Sequence, residues 1–334
     1  MENKRITYIS LLQIIGPIFV VLGHSLNGLQ STGAWYIFSK EWIYIFHMPL
    51  FFLISGYLLS FKGYQGEKSY IKFIFNKSKR LLLPYFIWNI IFWVPKFLFQ
   101  DYLSDKVSFN VLDILKAFVF PRQNVWGHTW FLVALFIVYL ATPLFQKLFE
   151  TKKVWISTIA IVFCIFLYIL PINTEFLALS DLHKDLLFFV IGCLLGQMRS
   201  DKFIIVMKRF RLGFICGAIL FSIISLIWYE QTKPLHFIPC IFILMTFLSI
   251  STSIESLSPF FEKLASFSFG IYIMHWPIMI LVRILFYQLL NLSVAITAIA
   301  MSILGYLIPV IILIVLRALP FKKIKKPLKY LLGV

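Results

Sequence analysis

The chain has 334 residues, of which 60% are hydrophobic and only 13% charged, with a formal net charge of +17. Globular domains run at roughly 45–50% apolar and about 25% charged, so a soluble domain of this size is excluded by its apolar surface alone. The composition predicts a polytopic membrane protein, in which the cations report on sidedness before they report on any nucleic acid.

The first apolar run, Ile6 to Leu26, is long enough to cross a bilayer at ~1.5 Å per residue, and so is Ile43 to Phe61. It is too long for a signal peptide, lacks a small-residue cleavage site and runs straight on to a second helix, so we expect it to be retained. Each run carries a histidine, His24 and His47. An imidazole in hydrocarbon is costly unless it faces a wet cavity or a partner, which makes both functional candidates. The short connection makes the two helices antiparallel neighbours. With an exit near Leu26 and an entry near Ile43, His24 lies ~3 Å deep and His47 ~6 Å deep, at one level. Pro17 and Pro49 cannot bond back to the carbonyls of Gln13 and Ile45, so each helix exposes backbone polarity there.

Further spans are expected at 81–100, 128–146, 154–171, 186–198, 212–229, 237–253, 265–288 and 293–317, about ten in all. With the N-terminus inside, 23 of the 31 Lys and Arg fall in cytoplasmic segments and 7 in outer ones, Arg283 lying within the ninth span. That asymmetry satisfies the positive-inside rule with both termini cytoplasmic. It accounts for the net charge, and no nucleic-acid partner is expected. The loop from Asp101 to Gly127 can hold one short amphipathic helix, VLDILKAFVF. No internal repeat or soluble domain emerges, so residues 1–334 read as a single all-α transmembrane domain.

Chemistry-bearing motifs are few. The four cysteines sit in apolar runs without metal or redox spacing and read as packing residues. No His-x-x-x-His pair or glycine-rich phosphate loop occurs, which leaves zinc hydrolase and nucleotidase readings without support. Ser55-Gly56 lacks the flanking glycine of a nucleophile elbow; small residues there suit a close helix crossing. Once the sides are fixed, His24, His47, His128, His183 and His236 all fall at outer helix ends or in outer loops. Asp181 and Asp185 flank His183. His275, about ten residues into the ninth span, falls near mid-membrane, where only a lined cavity suits it. Lys77, Lys79 and Arg80 form the densest inner set leading directly into a span.

The segments GPIFVVLGHS, WIYIFHMPLFFLISGYLLS, KSKRLLLPYFIWN, HTWFLVALF and FSFGIYIMHWPI follow one another along the whole chain. Together they resemble the acyltransferase-3 family of bacterial integral membrane O-acyltransferases, most of all the branch that O-acetylates cell-surface sugars. There is one departure. The family has Arg or Lys eleven residues before the first-helix histidine and an Asp shortly before that; here those positions are Gln13 and Ser10. The resemblance implies transfer of an acyl group, expected to be acetyl, from cytosolic acyl-CoA to a hydroxyl of a cell-envelope polysaccharide or its lipid-linked sugar precursor. The enzyme would sit in the bacterial cytoplasmic membrane, with acetyl-CoA as donor substrate, no tightly bound cofactor and no metal.

Neutral histidine suits the removal of a hydroxyl proton near neutral pH, so His24 is the expected general base, with His47 opposite. Arg80 and Lys77 are the expected contacts to the CoA phosphates, with Gln13 also assigned to the donor site. His128, Trp130 and His275 are assigned to the acceptor. Ten helices with intramembrane histidines also suit a transporter or flippase for a glycan or lipid-linked sugar. Such proteins often show two related halves, which this sequence does not. A lipid-linked glycosyltransferase would want paired acids in the first outer loop, which offers only Glu41.

Overall fold

A computed structural model describes residues 6–27, 29, 31, 33–62, 70–98, 100–102, 110–150, 153–198, 200–254, 256–319 and 322–333. Lys4, Arg5, Lys68, Lys106, Lys152 and Arg199, counted above for their sidedness, lie outside them. Among the described residues every regular element is helical and there is no strand. In chain order the first eight helices are α1 Thr7–Ser25, α2 Ala34–Lys62, α3 Tyr70–Leu98, α4 Val111–Val119, α5 Trp130–Leu140, α6 Thr142–Glu150, α7 Val154–Ile169 and α8 Leu179–Gly196. They are followed by α9 Ser200–Arg209, α10 Arg211–Ile227, α11 Tyr229–Thr232, α12 Phe237–Ser251, α13 Pro259–Ser266, α14 Ser268–Arg283, α15 Val294–Ala318 and α16 Lys322–Leu332.

Among the described residues five helices are long and apolar enough to cross a membrane, and up to seven spans result if each of two bent pairs counts as one. The bends are 55° between α9 and α10 and 70° at the entry to α12. The stretches expected at 128–146, 154–171 and 186–198 hold shorter or more polar helices, α5, α7 and α8. The first of these breaks after Leu140, where the Thr142 hydroxyl donates to the Tyr139 carbonyl at 2.6 Å.

The chain divides into two compact units, residues 1–54 with 198–334, and residues 55–197. In the first, α1 is the central element and packs on α12, α13, α14 and α15. Its buried residues, among them Tyr8, Ile9, Leu12, Ile14, Val20 and Val21, point in several directions. A helix apolar all round is one that is surrounded. Phe19 joins it to its neighbours, with ring centroids 4.8 Å from Phe46 and 5.4 Å from Phe247.

α2 contains the expected span and extends it at its start. The helix begins at Ala34 rather than near Ile43, and the Tyr36 hydroxyl ties its first turn to the carbonyls of Leu26 at 2.7 Å and Leu29 at 2.5 Å. His47 therefore stands ~20 Å along its helix, so its depth does not follow from an entry at Ile43.

In the second unit α3 packs on α5, and α8 on α5 and α7. The C-terminal part of α2 crosses α8 at backbone distance. A Cβ added at Gly56 would lie 2.0 Å from the Phe189 carbonyl oxygen, and one at Gly196 would lie 2.4 Å from that of Tyr57. Glycine at both positions permits the crossing, as expected for Gly56. The amphipathic segment forms α4 as expected; the Asn110 side chain caps it by accepting from Leu112 N, and Val111, Leu112 and Leu115 are exposed.

Candidate functional site

Three imidazoles meet in the first unit. The ring of His24, one residue from the end of α1, lies 6.2 Å from that of His47 on α2 and 5.3 Å from that of His275 on α14. Trp276 presents an edge-on contact to His24 at 5.1 Å, and Tyr44 lies 6.2 Å from His24 and 4.7 Å from His47. His47 and His275 are buried, His275 completely. His24 and His47 thus come together as expected. His275 does not stand apart at another depth; its ring is nearer to His24 than that of His47 is. The depth estimate placed each helix alone, whereas α1 and α14 pack side by side.

The two buried rings have defined tautomers. His47 Nδ1 lies 2.9 Å from the Ile43 carbonyl oxygen, and His275 Nδ1 lies 2.7 Å from that of Tyr272 and 3.2 Å from that of Ile271. A carbonyl oxygen only accepts, so Nδ1 donates in each ring. A neutral imidazole that donates at Nδ1 carries its lone pair on Nε2. Gln13, half-buried on α1 and ~16 Å from His24 along the axis, does not belong to this group.

The remaining candidates lie in the second unit. Lys77 and Arg80 share a face of α3. The Lys77 ammonium sits 3.8 Å from the Tyr139 ring centroid and 5.1 Å from that of Phe73, whereas Arg80 is exposed. His128 occupies a 3-10 turn, Gly127–Thr129, and is buried beside Trp126, ring centroids 5.5 Å apart. Trp130 opens α5 and is buried beneath the Arg122 guanidinium, 4.7 Å from its ring centroid.

This part of the chain is fastened by side chains that the sequence did not single out. Asn89, fully buried on α3, donates to the Tyr85 carbonyl at 2.8 Å and to Thr129 Oγ1 at 3.1 Å, and accepts from Trp126 N at 2.8 Å. Asn124 Nδ2 donates to the Tyr85 hydroxyl at 3.1 Å, which lies 3.0 Å from the Phe118 carbonyl. Trp126 stacks on Trp88 with centroids 5.5 Å apart. A second fastening joins the turn Pro121–Gln123 to the entry of α8. Phe120 meets Phe176 edge-on at 6.1 Å, Gln123 donates to Glu175 at 2.8 Å, and Arg122 makes a two-point ion pair with Asp181.

A family model described as an acyltransferase domain matches residues 6–317. The chain belongs to the acyltransferase-3 family. Among curated relatives, nodulation protein NolL of Mesorhizobium japonicum is 32% identical over 151 residues, 43% of this chain and 37% of the relative. NolL of Sinorhizobium fredii is 30% identical over 204 residues, 60% and 51% of the two chains. This chain spans about half, or less, of the length of the curated relatives it matches. No solved structure matches it.

Within this acyltransferase domain, one usable signal for the third histidine was present in the sequence. His47 and His275 both stand two residues before a proline, Pro49 and Pro277, and both bond back to a carbonyl of their own preceding turn. The repeated His-x-Pro would have paired them. Asn89 and Asn124 carried no comparable sign, because a lone Asn in an apolar helix or a polar loop has many roles.

Proposed function

We propose that the protein is a membrane O-acyltransferase that moves an acyl group, most simply acetyl, from acyl-CoA to a hydroxyl of a cell-envelope glycan or its lipid-linked precursor. The observation that carries this reading is His24 set against His47 and His275 in a chain of the acyltransferase-3 family. In the transfer the hydroxyl oxygen attacks the thioester carbonyl, the C–S bond breaks, and the hydroxyl proton passes to His24 and on to the departing CoA thiolate. His47 and His275, each holding its proton on Nδ1, offer Nε2 lone pairs that orient the base or the hydroxyl it serves. His128 and Trp130 belong to the acceptor side. Acetyl-CoA-dependent labelling of glycan by the purified protein tests the reading; absence of transfer would favour the transporter instead.

The same proposal includes the sidedness that the reaction needs. The chain makes about ten crossings of the bacterial cytoplasmic membrane as one functional domain, with both termini inside and histidine and acid outside. Cysteines placed at Lys68 and Lys325 are expected to react with membrane-impermeant reagents only after the membrane is opened. Labelling of either in intact cells would reverse the sides.

Arg80 is the proposed phosphate contact for CoA, with Gln13 a further donor-side residue. Arg80 is exposed, whereas the Lys77 ammonium is held over Tyr139, leaving the guanidinium as the forked donor for a phosphate. Arg80→Ala should raise the KM for acetyl-CoA about tenfold and leave membrane insertion intact. An unchanged KM would make Arg80 a sidedness anchor only.

A further inference from the structure

α15 carries no residue with a part in that chemistry, yet it packs on both α1 and α14. Gly305 marks the closest approach. A Cβ there would lie 2.7 Å from Met279 Cγ on α14 and 3.2 Å from Val21 Cγ1 on α1, so glycine lets α15 lie against both helices at once. Val21 is one helical turn from His24, and Met279 is one turn from His275. At Ser302, one turn from Gly305, a hydrogen bond adds to this contact. Ser302 Oγ donates to Ser25 Oγ at 2.9 Å, sharing its proton with the Ala298 carbonyl at 2.7 Å, and Ser25 Oγ donates to the Leu22 carbonyl at 2.7 Å. Ser25 is 2% exposed and is the last residue of α1, directly after His24.

These bonds fall where α1 stops supplying its own. The last carbonyls of a helix have no further partners in the ladder. Beyond Ser25 the backbone tightens, with Asn27 N donating to the His24 carbonyl at 2.9 Å. The Tyr36 hydroxyl holds the carbonyls of Leu26 and Leu29, past the helix, whereas Ser302 holds the residue that adjoins His24. His47 and His275 are each fixed by a bond from Nδ1 to their own preceding turn. His24 meets its neighbours ring to ring, so its place follows the end of α1.

We propose that Ser302, acting through Ser25, is a positioning residue for His24. With Gly305 setting the spacing of the helices, it holds the end of α1 so that the His24 ring keeps its 5.3 Å approach to that of His275. The proposal rests on the acyltransferase reading above, in which His24 takes the hydroxyl proton, and it adds α15 to that site. A reacting group displaced by ~1 Å can cost up to ~100-fold in rate although the substrates still bind. Its signature is a loss in kcat with KM unchanged.

The test uses the full-length protein in detergent, with acetyl-CoA as donor and p-nitrophenyl glycosides of common hexoses and hexosamines as acceptors. Histidine is labelled with nitrogen-15, and the His24 imidazole signal is assigned by its loss in His24→Gln. Ser302→Ala and Ser25→Ala are each expected to lower kcat about tenfold with both KM values unmoved, and to move the His24 signal while that of His47 stays. The two changes together should cost no more than either alone, because the two hydroxyls make one fastening. Ser302→Thr keeps the hydroxyl and should return kcat to near wild type. Should Ser302→Ala fail to fold, Ser302→Cys, a weaker donor of similar size, stands in for it with a smaller loss of the same kind. Wild-type kcat in a folded variant overturns the proposal, and so does a loss that threonine fails to recover or that leaves the His24 signal where it was. A wild-type protein that acetylates no glycoside of the panel removes the acyltransferase reading alone. The His24 signal then decides the positioning by itself: movement in Ser302→Ala keeps it, and a fixed signal overturns it.

Discussion

His24→Ala is expected to lower acyl transfer by ~10²–10⁴, the usual contribution of a positioned general base. Expression and fold should survive. The position is one residue from the end of α1, and alanine is the best helix former, so the backbone loses nothing. The sharper variant is His24→Gln, which keeps a polar side chain of similar length but accepts no proton at neutral pH. A base predicts that glutamine is as inactive as alanine; a merely structural hydrogen bond predicts recovery. His275→Gln and His47→Gln supply the comparison. Each loses an Nε2 lone pair that lies near His24 but not the His24 imidazole itself, so each should cost less than His24→Gln. If His24→Gln transferred at near wild-type rate while His275→Gln did not, the base would be His275. The close approach of the two rings makes that a real alternative outcome.

How much of this arrangement was legible in the sequence depends on how local its cause is. The His24–His47 pair was visible because a short connection forces neighbouring antiparallel helices. Gly56 was readable as a close crossing because it lacks the setting of a catalytic elbow, and α4 because VLDILKAFVF is amphipathic at helical spacing. The apolar run from Ile43 marked the second span but not the nine residues of helix that precede it in α2. Trp35, Lys40, Glu41 and Trp42 lower the local hydropathy, yet they continue the helix because helical backbone satisfies its own hydrogen bonds whether or not it lies in lipid. His275 was placed by counting along one span, a procedure blind to the packing of α1 on α14. The break after Leu140 was hidden because Thr142 is a small polar residue that reads as part of a span until its hydroxyl is seen on the Tyr139 carbonyl. The Arg122–Asp181 pair joins residues 59 apart, and no pattern along the chain announces it.

Asn89 provides the strongest prediction that the sequence alone would not have made. Its amide uses both ends: Nδ2 donates to the Tyr85 carbonyl and Thr129 Oγ1, and Oδ1 accepts from Trp126 N. Through it α3 holds the turn that carries His128. Asn89→Leu keeps the branching at Cγ and is apolar, though its methyls are bulkier than the amide and add some packing strain. It leaves the Trp126 N–H buried without its acceptor, and a stranded buried donor costs ~1–3 kcal/mol. With the two lost donations the total should reach about 3 kcal/mol, seen as a fall of several degrees in Tm in detergent. Asn89→Asp separates the terms. It keeps an acceptor for Trp126 N but replaces both donations with a buried charge, so it should be worse than leucine rather than better. Tyr85→Phe is the mild control: Asn124 Nδ2 loses one partner and the Phe118 carbonyl another, at about 1 kcal/mol. Because the turn holds His128 and leads into Trp130, Asn89→Leu should also raise the acceptor KM more than the acetyl-CoA KM. Equal Tm values for wild type, Asn89→Leu and Asn89→Asp would show that this network does not hold the turn in place.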